Sequence, residues 1–188
     1  SRGTSVKPTT DGVIYLRGLR DFSSIEESAA IVKDAFDAAR IIAPKLSADG
    51  GFFATVQDTG GNFALDEWCE PTKAALGALA GLAKTAAQEW PSATVRAIDI
   101  DAGHRDVHTV ANELAEEFLA GGDDVEIGLV DQRRIAIDLQ PGALGPAAIP
   151  PLSEGEVVVV SGGARGVTAA CVVELASRTG ARFVLLGR

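Results

Sequence analysis

The chain has 188 residues, 46% of them hydrophobic and 23% charged, and carries a formal net charge of −9. That length suits one medium domain or one and a fraction, and the apolar share supports a packed core. The acidic balance argues against nucleic acid and anionic membranes as partners, and no apolar run approaches the ~20 residues of a membrane span. No secretory leader is visible, and two cysteines far apart in sequence, Cys69 and Cys171, fit a reduced, cytoplasmic setting. The sequence has no methionine and opens Ser1-Arg2-Gly3-Thr4, so a piece of a longer polypeptide is expected.

Residues 1–11 are polar and read as linker. A short strand over 13–16 runs into Arg17-Gly18-Leu19-Arg20, which offers no glycine cradle for a dinucleotide. Ser23 and Ser24, each with a glutamate three residues on (Glu26, Glu27), are capping-box candidates. Ile25, Ala29, Val32, Phe36, Ala39 and Ile42 then mark one apolar helix face, and Pro44 is expected to close the helix near Ile42. A buried strand is expected over 51–56. After a polar loop, Pro71 opens a long helix over 72–89, a favoured place for proline. Ala74, Gly77, Ala78 and Gly81 would let another helix approach it closely. A strand over 95–100 and a helix over 107–119, stopped by Gly121-Gly122, come next. Residues 125–130 and 134–139 flank Asp131-Gln132 as a hairpin or strand pair. Four prolines and three glycines among residues 141–155 mark a linker. Alternating strands and helices imply a mainly parallel sheet with helices on both faces.

The last 33 residues, EVVVVSGGARGVTAACVVELASRTGARFVLLGR, are the most informative. The β-branched run over 157–160 reads as a strand buried on both faces. Ser161, Gly162, Gly163, Ala164, Arg165 and Gly166 follow at once, and a helix starts there at about Val167. Glycines allow the tight turn and the close approach of amides to a phosphate, and the helix dipole favours an anion at that end. Gly180 ends the helix, and residues 183–186 form a second strand. A glycine-rich turn alone also serves as a plain turn. Its place between a buried strand and a helix, with a second strand about 20 residues on, makes the nucleotide signal specific.

The spacing resembles the Thr-Gly-x-x-x-Gly-x-Gly turn of short-chain dehydrogenases/reductases: Ser161 takes the threonine place, Gly162 and Gly166 the first two glycine places, and Thr168 stands in the last. "GGARGVTAAC" and "LLGR" resemble most closely the ketoreductase domains of type I polyketide synthases and polyunsaturated fatty acid synthases. That resemblance implies NADPH, with Arg165 and Arg188 at the places that hold its 2′-phosphate; no acidic residue ends the second strand to hold ribose hydroxyls instead. A second likeness lies earlier. Short-chain reductases carry Tyr-x-x-x-Lys at the start of the helix that corresponds to 72–89. Here Lys73 fits the lysine and Cys69 stands in the tyrosine place, where a thiol does not supply the phenol's reach or hydrogen bonding.

Other constellations have bland explanations beside the sharp ones. His104 and His108 are spaced for zinc, but Arg105 sits where a zinc protease has glutamate. Cys69 has no partner base visible in the sequence. Lys73 without its tyrosine reads as a solvated helix charge or a relic. Asp99 with Asp101, and Asp123 with Asp124, read as solvated strand-end and turn carboxylates rather than a cation site. No metal is expected.

The expected fold is α/β: a Rossmann-like, truncated doubly wound, mainly parallel sheet, followed by the first βαβ unit of a second Rossmann fold. By resemblance, residues 12–140 are a ketoreductase structural subdomain, 141–155 a linker, and 156–188 the start of an NADPH-binding catalytic subdomain. The whole domain would reduce a β-ketoacyl group on an acyl carrier protein to a β-hydroxyacyl group, beside other synthase domains of the same polypeptide. Its catalytic residues are expected beyond Arg188, and this chain alone is expected to be inactive. The alternatives are a non-catalytic structural or docking module with a vestigial nucleotide turn, and a stand-alone nucleotide-binding regulator.

Overall fold

The computed structural model describes residues 7, 9–65, 70–103, 105–142, 145 and 152–187. The chain divides into two compact units, Ser1–Leu139 and Gln140–Arg188. The expectations for Cys69, His104 and Arg188, and for most of the 1–11 and 141–155 linkers, lie outside the described residues.

The first unit is a five-stranded sheet in the order β1-β2-β3-β4-β5, formed by Gly12–Gly18, Gly51–Gln57, Ala93–Ile100, Glu126–Val130 and Arg133–Ala136. The first four strands run parallel. β5 returns antiparallel through a two-residue turn in which Asp131 and Gln132 both have positive φ, 46° and 61°, the backbone that matches hairpin twist. The α/β, mainly parallel architecture is as the sequence implies.

Three helices cover this sheet: α1 (Ile25–Asp49), α2 (Gly77–Glu89) and α3 (Val107–Ala120). Side chains alternate across each strand, so Phe53, Val95 and Ala97 face α1 and α2, packing with Ile42, Leu46, Ala80 and Ala83. Val56, Ile98, Ile100, Ile127 and Leu129 face the other way, onto Leu114 of α3. Trp90 closes the first cluster edge-on to Phe53, their ring centroids 5.5 Å apart. Arg96 is buried and turns its guanidinium onto the carbonyls of Gly121, Gly122 and Asp124, which places a cation at the C-terminal end of α3.

Three expectations need correction. Pro44 does not close α1: the helix continues to Asp49, where the Gly50 amide donates to the Leu46 carbonyl. Leu46 is fully buried, and that burial outweighs the one backbone bond that proline removes. The buried face of α1 is Ser28, Ile31, Ala35, Ala38, Ala39, Ile42 and Leu46, whereas Ile25 and Phe36 are about half exposed. Alanines let the helix sit close to the sheet, so the bulkier pair falls on its flank. The 72–89 helix is also not uniform. Pro71–Leu76 is a 3₁₀ segment, and α2 proper begins at Gly77 with no side-chain cap. Ala74, Gly77, Ala78 and Gly81 are all exposed.

The second unit holds β6 (Val157–Ser161), α4 (Gly166–Thr179) and β7 (Arg182–Leu186), with β6 and β7 paired in parallel as a sheet of their own. Gly180 caps α4 in the left-handed region at φ 67°. The expectation of a strand buried on both faces is not met: Val158 and Val160 are half-buried, whereas Val157 and Val159 are 57% and 61% exposed. A two-stranded sheet with one helix is too small to enclose both faces.

Replacing exposed Pro44 by alanine restores an N–H that can donate to the Arg40 carbonyl and removes the ring clash with that turn. Pro44→Ala is expected to stabilise the first unit by about 1–3 kcal/mol, read as a higher urea midpoint at unchanged slope. An unchanged or lower midpoint would mean that the helix has adapted to the proline.

Candidate functional site

Two strand-to-helix turns stand where a dinucleotide could dock: after β1, and after β6. They differ in what already neutralises the helix that follows.

The turn after β1 is internally satisfied. Gly18 does not have positive φ; it is glycine because a Cβ there would strike the Val56 carbonyl oxygen and the Leu79 side chain. α1 starts seven residues after β1 ends. Its Ser24 hydroxyl accepts from the Glu27 amide at 3.3 Å, and the Glu27 carboxylate accepts from the Ser23 amide at 2.8 Å and from the Ser23 hydroxyl. With Glu26 also in the first turn, this helix end carries its own anions. Arg17 is paired with Asp34. Tyr15, the only tyrosine, is buried, its hydroxyl 2.7 Å from the Ile31 carbonyl and 3.0 Å from the Asp34 carboxylate. Burial, then Asp34, pushes its phenol well above the usual range.

The turn after β6 has the opposite character. Gly162 and Gly166 lie in the left-handed region at φ 74° and 60°, and open space stands where a side chain would project from either. Gly163 is buried against Val160 and Leu185, and a Cβ there would lie 2.7 Å from the Leu185 side chain. The Gly162 amide ties the start of the turn to β7 by donating to the Leu186 carbonyl at 2.6 Å. Arg165 is the N-cap of α4, yet its side chain makes no cap bond, and the first turn holds no acidic residue. The first-turn amides therefore have no capping side chain or first-turn acid, and they lie beside open glycines and an exposed arginine, a set of donors that fits a phosphate. Ser161, Ala164 and Val167, the remaining described residues of the predicted set, are all exposed on this turn.

A third cluster sits at the C-terminal edge of β2 and β3, where open α/β sheets place ligands. Asp99 is fully buried rather than solvated, which corrects the sequence reading. Its carboxylate accepts from the Thr59 amide at 2.7 Å and the Phe63 amide at 2.6 Å, fastening a loop in which Phe63 and Ala64 both take positive φ, 59° and 56°. Lys73 is not a free helix charge: its ammonium lies 3.1 Å from the Asp58 carboxylate, both partly buried. The sequence had no way to signal either partnership, because both join segments 15 to 40 residues apart. Asp101 and Glu70 line the same small cavity, but no group of three metal-ligating residues converges among the described residues. His108 lies exposed in the first turn of α3, whose cap is Asp106, accepting from the Thr109 amide at 3.0 Å.

No family model matches the sequence. Over 125 residues, 62% of the chain, it is 36% identical to a component of the polyunsaturated fatty acid synthase of Thraustochytrium sp.. Its fold is that of two solved chains. One is an adenylation, ketoreductase and pseudo-Asub multidomain structure of a keto acid-selecting NRPS module, at TM-score 0.66 and 21% identity over 96% of this chain. The other is a ketoreductase domain from the bacillaene assembly line, at TM-score 0.58 and 20% identity over 95% of it. Its fold is ketoreductase-like. The chain spans 4% of the length of that fatty acid synthase component, and 16% and 45% of the two solved chains. No helix among the described residues is long and apolar enough to cross a membrane.

The Asp99 clamp makes two predictions. Asp99→Ala leaves the Thr59 and Phe63 amides without an acceptor, at a cost of about 2–4 kcal/mol in unfolding free energy; a loss under about 1 kcal/mol would show that the loop holds itself. Burial raises the Asp99 carboxyl above its ordinary range, so the native state holds this proton more tightly than the unfolded chain does. The resulting stability is complete below the ordinary carboxylate pKa and is lost as pH rises through the raised one. Stability relative to Asp99→Asn should therefore fall as pH rises above the ordinary carboxylate range. A rise instead would mean that the two amide bonds outweigh desolvation.

Proposed function

We propose that this chain is part of a ketoreductase within a multidomain polyketide or polyunsaturated fatty acid synthase. In this reading the complete domain uses NADPH to reduce a β-ketoacyl group on an acyl carrier protein to the β-hydroxyacyl group. Residues 12–140 are its structural subdomain, and residues 156–188 begin its cofactor-binding subdomain. The observation that carries the proposal is the uncapped start of α4, with open Gly162 and Gly166 beside Arg165.

When bound, NADPH would supply the hydride for reduction of the carbonyl. The contribution of this chain is to hold. The amides of Gly163, Ala164 and Val167 and the end of α4 are assigned to the pyrophosphate, with Ser161, Gly162 and Gly166 shaping the turn. Arg165 and Arg188 are assigned to the 2′-phosphate, because a guanidinium matches a phosphate through paired, charge-assisted hydrogen bonds. The proton that completes the hydroxyl is assigned to no residue of this chain. Tyr15 is committed to Ile31 and Asp34, and Lys73 to Asp58.

Two outcomes follow. The chain by itself should give no turnover with NADPH and a small ketone such as a decalone; turnover abolished by Cys69→Ala would overturn this and make Cys69 catalytic. In the full ketoreductase region, Arg165→Ala should raise the KM for NADPH about ten-fold or more while sparing NADH, in line with roughly 1.5–3 kcal/mol for a charge-assisted bond. Equal losses with both cofactors would place Arg165 elsewhere than at the 2′-phosphate.

A further inference from the structure

We draw no further inference here: the strongest candidate, the apolar groove between α1 and α2 that is lined by Ala29, Val32, Phe36, Ala78, Gly81 and Leu82, is an unpartnered face, and nothing in the structure shows what covers it.

Discussion

The first turn of a helix presents amides with no partner inside the helix, together with the positive end of its dipole. Something must accept from them, and what accepts decides whether that end can serve a ligand. At α1 the acceptors are Ser24 and, just ahead of the helix, the Glu27 carboxylate folded back onto Ser23. At α3 the acceptor is Asp106. These ends are closed by the protein's own anions or dipoles. α4 alone among these three has an arginine at the N-cap, no cap bond and no first-turn carboxylate. The strand-turn-helix architecture is common to α1 and α4, and the capping chemistry separates a scaffold end from an anion-ready end.

The same division appears in the carboxylates and the lysine of the first unit. A mainly parallel α/β sheet places ligand sites at the C-terminal edge of its strands, and here the polar groups at that edge are consumed internally. Asp99 fastens the 59–63 loop, and Asp58 holds Lys73. A buried carboxylate that accepts two amides offsets part of its desolvation, and its complete burial keeps its remaining lone pairs away from an outside group. This edge therefore behaves as structure, although its residue types are those of chemistry.

The sequence made legible whatever depends on neighbours close along the chain. The glycine turn at 161–166, the Ser24–Glu27 capping box, the Asp131-Gln132 hairpin and the stop at Gly180 each rest on local backbone demands. Legibility failed where distant packing decides. The face of α1 turns toward Ala35 and Ala38 because the sheet surface, not side-chain size, sets how near the helix sits. Helix continuation through Pro44 depends on a pocket for Leu46. Asp99 looks like any strand-end carboxylate until the loop forty residues earlier folds over it.

The central claim is that the phosphate-binding end of this chain is the α4 turn and not the α1 turn or the Lys73 cavity. A crystal structure of the proposed complete ketoreductase region grown with NADP⁺ tests it most directly. The account predicts the pyrophosphate on the amides of Gly163, Ala164 and Val167, with Arg165 at the 2′-phosphate and no cofactor density near residues 17–24 or Lys73. Pyrophosphate bound at residues 17–24, or a cofactor reaching only Lys73, would contradict it.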